Sequence, residues 1–193
     1  MYSKTPESIA YVVNISGKQR MLSQHIALDV HKIYQLRQER NKEHEEAIQN
    51  RLEALCDEML EANRILSSGE LSSTKKIALS DEIRELYFGS KRVAQRVEAY
   101  ALSAKELGRI KEPKAARELL KMIAHESEPL LADLNTVVLQ YQKEGEERLV
   151  EIQHLEGIIL VMTLFALLLE VIFIFQPLVR HIVELSKDNA LAE

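Results

Sequence analysis

The residues best suited to chemistry lie near the start of the chain, where Asn14, Gly17 and Arg20 recur every three residues in an apolar stretch. At 100° per residue of an α-helix they share one stripe with Val13, opposite a conventional apolar core stripe. A guanidinium presents flat, forked donors that match the oxygen atoms of a planar anion. Glycine in mid-helix costs about 1 kcal/mol relative to alanine, but it lets another backbone approach closely. The stripe is therefore a candidate site for a small oxyanion.

Pairing of this stripe with its own copy would complete such a site. About a two-fold axis, two Arg20 side chains would converge, which is unfavourable unless an anion neutralises them. Each charged hydrogen bond contributes about 1.5–3 kcal/mol, so the anion would stabilise the dimer by mass action. The alternative is that Gly17 is a packing notch and Arg20 a surface cation, and periodicity leaves both interpretations open.

The elements that position these residues are predicted from breakers and caps. Thr5 with Pro6 opens a first helix, Ser67-Ser68-Gly69 ends a second, and Gly108 and Pro113 separate a third from a last one that kinks at Pro129. The expected helices cover residues 5–41, 43–67, 75–108 and 113–176. We expect an all-α protein, an antiparallel four-helix bundle whose last helix continues into a transmembrane helix.

The membrane segment is the clearest compositional signal. Gly157 to Phe175 comprises 19 residues with a single charge, Glu170, and a helix of that length spans about 28 Å. Near the end of the span, Glu170 suits an interfacial or helix-packing role better than a proton relay. We expect a sensor domain over residues 1–153, a transmembrane helix over 154–177 and the start of a cytoplasmic signalling linker over 178–193.

Composition restricts the other function classes. The net charge of −5 argues against a nucleic-acid partner, and the single Cys56 falls on a core position rather than in a reactive setting. Glu151-x-x-His154 is half of a di-iron bundle motif, and the sequence holds no second half, no HExxH, no phosphate loop and no G-x-S-x-G. We expect no catalytic residue, metal, cofactor or enzyme activity, with a di-iron enzyme as the remote alternative.

Residues 14–24, NISGKQRMLSQ, closely resemble N-x-[AS]-G-x-x-R-M-x-S, the P-box of nitrate/nitrite (NarX-like) sensor kinases and of PilJ-type sensor domains. The fixed positions that fit are Asn14, Gly17, Arg20, Met21 and Ser23, and Ser16 stands where alanine is common. Residues 61–66, 127–131 and 170–180 are more loosely similar, so the resemblance spans about residues 6–185.

The resemblance implies a periplasmic four-helix bundle in a bacterial inner-membrane receptor, with its C-terminus in the cytoplasm. It implies a homodimer paired through the first helix, with nitrate, and less tightly nitrite, held at that interface by Arg20 of both subunits and by groups at Gly17 and Val13. Asn14 belongs to the motif either as a ligand or as a residue that holds the helix. That topology needs a further anchor or signal ahead of Met1; otherwise the orientation is reversed. The linker resembles the entry to a HAMP unit, leading to a histidine kinase, diguanylate cyclase or chemotaxis output. A ligand-free, membrane-anchored helical tether that dimerises remains the competing hypothesis.

Overall fold

The chain is mostly helical in the computed structural model, which describes residues 6–175, 177 and 179. The helices are α1 (Pro6–Gln38), α2 (Lys42–Ser68), α3 (Asp81–Phe88), α4 (Val93–Arg109) and α5 (Pro113–Glu170), followed by a π-helix over Val171–Phe175. No strand occurs in these ranges, where Glu70 and Lys76 form one isolated antiparallel bridge. The all-α prediction is confirmed, while the predicted cap Thr5 lies outside the described residues.

A polar capping residue and a glycine determine where the first two helices end and begin. Arg40 has a positive φ of 60°, and the Asn41 side chain accepts a hydrogen bond from the His44 N–H at 3.3 Å to cap α2. The first helix therefore ends at Gln38 rather than at the predicted residue 41. Gly69 closes α2 in the left-handed conformation, with φ 73°, and its N–H donates to the Ile65 carbonyl. The predicted glycine stop is confirmed.

The predicted third helix over residues 75–108 is wrong, because the structure divides it into α3 and α4 after a loop. Ser80 caps α3 by accepting a hydrogen bond from the Ile83 N–H at 3.1 Å. Gly89 ends α3, and Arg92, in the left-handed region at φ 48°, opens α4. Periodicity alone misled the prediction, since both helices place apolar residues in the same core.

The chain divides into two compact units, the first ending at Glu146 and the second beginning at Glu147. In the first unit α1 packs on α2 and α4, α2 packs on α4, and α3 packs on α4. The fully buried core includes Leu22, Ile26, Ile33, Leu52, Met59, Tyr87, Leu107 and, from α5, Leu130 and Leu134. Cys56 belongs to this core as predicted, and burial raises the pKa of its thiol to about 12.

Polar contacts join α5 to this core. Tyr141 Oη donates to the Leu66 carbonyl at 3.0 Å at the end of α2. Asp133 accepts hydrogen bonds from Lys91, at 2.7 Å, and from Arg96. Burial alone would raise the pKa of Asp133, but these two cations lower it below its ordinary value. The Asp133 cluster therefore ties α5 to the start of α4.

The described part of the second unit contains the apolar segment. The helix that carries it is long and apolar enough to cross a membrane, and its most apolar 18-residue window has a mean hydropathy of 2.4 with none of it buried. The α-helix passes through Pro129 and continues to Glu170, and a π-helix follows over Val171–Phe175. The predicted end of the helix at residue 176 lies outside the described residues.

The predicted domain boundaries at residues 153 and 177 stay predictions. Apart from residue 179, the predicted linker over 178–193 lies outside the described residues.

Candidate anion site on the first helix

The core face of α1 fixes which residues point away from the first unit. Leu22, Ile26 and Ile33 are fully buried, so the opposite stripe faces outward. On that stripe Asn14 and Arg20 are exposed, while Val13 and Gly17 are partly buried. The helix thus presents all four predicted site residues on one accessible face.

The four residues line a common groove between α1 and α5. Its volume is about 680 Å³, and it is lined by Val13, Asn14, Gly17, Lys18, Arg20, Met21 and Gln24 of α1 and by Asn135, Val138, Leu139 and Gln142 of α5. The lining contains two cationic side chains and no carboxylate. Lys18 is paired with Glu58 of α2, which leaves Arg20 as the lining cation without an ionic partner among the described residues.

Arg20 is held on one side only. Its Nη1 donates to Asn135 Oδ1 at 3.0 Å, and no other hydrogen bond joins its guanidinium to a described residue. The Nε and Nη2 edge therefore remains available as a two-donor fork. Such an edge matches two oxygen atoms of a planar anion.

The surface at Gly17 is open within this chain. A Cβ atom built on Gly17 would meet no atom within 4 Å beyond its own helix backbone. Hence no described side chain packs into Gly17, and an intrachain packing notch does not account for it. Exposed apolar side chains line the same groove, with Met21 43% and Leu139 57% exposed. An open, partly apolar face around a helical glycine suits the approach of another helix.

The other motif residues divide between the two faces. Ser16 Oγ donates to the Val13 carbonyl at 2.8 Å and Ser23 Oγ to the Arg20 carbonyl at 2.7 Å, so both buried serines bond to their own helix. The Asn14 side chain forms no hydrogen bond with any residue that the structure describes. The serines thus serve the helix, whereas Asn14 stays free to contact a ligand.

Sequence reasoning missed the groove wall that α5 supplies. Asn135 and Gln142 are seven residues apart and lie on one helical face beside the core positions of α5. That spacing could have marked a polar stripe, but nothing in it indicated that the stripe faces Arg20. The buried Gln19 was also missed: its Nε2 donates to Asn63 Oδ1 at 3.5 Å, and its Oε1 has no partner among the described residues.

No three His, Cys, Asp or Glu side chains gather as a possible metal site within the described ranges. Glu151 and His154, the half motif for di-iron, are both exposed. No protein-family model, curated protein or solved structure matches the chain.

Proposed function

We propose that this chain is the extracytoplasmic ligand-sensing part of a bacterial membrane receptor and binds nitrate, and less tightly nitrite, between two copies of α1. The observation that carries the proposal is the environment of Arg20. Its guanidinium has a two-donor edge without a described hydrogen-bond partner, and it lines a groove that contains Gly17, whose surface is uncovered, and no carboxylate. The resemblance of residues 14–24 to the P-box supports the same assignment.

The charge balance explains why the ligand should be an anion. Two grooves brought together across Gly17 would place two Arg20 side chains near one axis, where their repulsion opposes association. A flat oxyanion accepts hydrogen bonds from both forks and cancels that repulsion. Anion binding and dimerisation are then thermodynamically linked, so each strengthens the other.

We further propose that the four long helices α1, α2, α4 and α5 form an antiparallel bundle in the periplasm, with α3 as a short addition. The packing of α1, α2 and α4 and the polar contacts of α5 with Arg20 and Leu66 support this arrangement. The apolar segment crosses the inner membrane, and the chain after it is cytoplasmic. Because α5 runs unbroken from Pro113 to Glu170, it can carry a displacement of about 1–2 Å without losing it in a loop.

Calorimetric titration of nitrate into the full chain in detergent tests the site. Arg20→Ala should lower nitrate affinity at least tenfold, because a charged hydrogen bond contributes about 1.5–3 kcal/mol. Arg84→Ala is a matched control, since Arg84 is an exposed arginine on α3 outside the groove. Nitrate binding that is equal in wild type and Arg20→Ala would refute the assignment.

A ligand-free tether is the second candidate, and the exposed Met21, Leu28 and Leu139 favour it, since apolar side chains can pair helices without an anion. Sedimentation of the full chain with and without nitrate separates the two functions. The sensor requires dimerisation that strengthens with nitrate, whereas the tether dimerises equally in both conditions.

A further inference from the structure

Asn135 joins the candidate anion site to the helix that carries the apolar segment. It lies 115 residues from Arg20 in sequence, yet its Oδ1 accepts a hydrogen bond from Arg20 Nη1 at 3.0 Å. The buried neighbours Leu134 and Val138 fix the register of α5, and the buried Leu22 fixes that of α1. The two ends of this hydrogen bond are therefore placed by packed helices rather than by loops.

The hydrogen bond between Arg20 and Asn135 orients the Arg20 guanidinium before a ligand binds. An arginine side chain loses considerable rotamer entropy when it is ordered on a ligand. The Asn135 amide orders the guanidinium beforehand through Nη1, while the Nε–Nη2 edge of this groove-lining arginine makes no hydrogen bond to a described residue. Preordering of this kind lowers the entropic cost of binding.

We propose that Asn135 is the positioning residue of the anion site, which orients Arg20 for a planar oxyanion and couples its occupancy to α5. This inference rests on the proposed function. The Asn135 Nδ2 makes no hydrogen bond to a described residue, so it also offers the ligand a neutral donor. An anion that draws Arg20 towards itself changes the force on Asn135, and through it on α5.

Nitrate titration into the full chain in nanodiscs provides the first test. Asn135→Ala should lower affinity about tenfold, equivalent to 1.4 kcal/mol. Asn135→Asp should lower it further, because the carboxylate still holds Arg20 but neutralises it and repels the anion. A merely structural role predicts the opposite order, since aspartate preserves the shape and the acceptor. Gln95→Ala, an exposed amide on α4 outside the groove, should bind like wild type.

Hydrogen exchange tests the coupling. Saturating nitrate should slow amide exchange around residues 131–142 in the wild type, and this protection should be lost in Asn135→Ala even when nitrate is raised until its site is filled. Affinity in Asn135→Ala equal to wild type, or Asn135→Asp binding at least as tightly as Asn135→Ala, would overturn the inference and leave the proposed function intact. Retained protection of α5 in Asn135→Ala would overturn the coupling. A wild-type chain that binds no nitrate would overturn both the inference and the proposed function.

Discussion

Replacing Arg37 with alanine should destabilise the first unit more than removing any surface ion pair. Arg37 lies near the end of α1, and its side chain is 17% exposed. Nη1 donates to the carbonyls of Leu107, at 2.9 Å, and Ile110, at 2.8 Å, Nη2 donates to that of Gly108, at 2.8 Å, and Nε donates to Glu45, at 2.6 Å. The carbonyls belong to the end of α4, where a helix has no internal donors for them and where its dipole favours a cation.

Hydrogen bonds to a charged group contribute about 1.5–3 kcal/mol each, and bonds that share one group are not additive. Because water can reach part of the vacated site, we expect Arg37→Ala to lower the free energy of unfolding by about 3 kcal/mol, a fall in Tm of about 6–12 °C for a chain of this size.

Circular dichroism at 222 nm during heating of the full chain in detergent measures the effect. Arg109→Ala is the matched control at the same end of the first unit, since Arg109 is exposed and forms a surface pair with Glu53, a class that contributes about 0–1 kcal/mol. Arg37→Lys should fall between wild type and Arg37→Ala, because an ammonium cannot reach all the carbonyls at once. The reasoning is wrong if Arg37→Ala melts within about 2 °C of Arg109→Ala.

Gly17→Ala should raise Tm, because alanine favours a helix by about 1 kcal/mol and its Cβ would contact no other atom of the chain beyond its own helix backbone. The same substitution should weaken nitrate-dependent dimerisation, measured by sedimentation. Unchanged dimerisation would argue against the close approach of a second helix at this glycine. Gly145→Ala is its counterpart and should melt below Gly17→Ala, since a Cβ there would lie 2.8 Å from Ile9 Cγ2 and this overpacking offsets the same gain in helix propensity. The lowered pKa of Asp133 stabilises the fold above the ordinary aspartate pKa of about 4, and this contribution is lost as the pH falls through the lower folded-state value. Asp133→Asn should therefore reduce Tm at pH 7, and its deficit against wild type should shrink below about pH 4; a deficit independent of pH would contradict this.

Helix ends could be predicted from the sequence where a single residue determines the backbone conformation. Gly69 is an example: a Cβ there would lie 2.2 Å from the Ile77 carbonyl oxygen, and its φ of 73° suits glycine. The end of α2 was accordingly predictable, and so was the start of α5 at Pro113. The apolar segment was also evident, because the length and composition needed to cross a bilayer are properties of a continuous stretch of sequence.

The division of residues 75–108 shows where periodicity fails. Apolar residues on both sides of Gly89 face the same core, so their spacing resembles that of one helix. The Ser80 cap and Gly89 carried the correct signal, but the left-handed Arg92 that reorients the chain has no sequence signature. Tertiary packing, which buries Tyr87 and Val93 together, decided this break.

The candidate site shows the same division. Sequence by itself determined that Val13, Asn14, Gly17 and Arg20 share an outward stripe, because helical geometry repeats every 3.6 residues and the apolar core stripe fixes the rotation of α1. Only the tertiary structure decided that Asn135 meets Arg20 and that α5 forms the other wall of the groove. That contact joins positions 115 residues apart, and it depends on how two helices pack side by side, which no local spacing encodes.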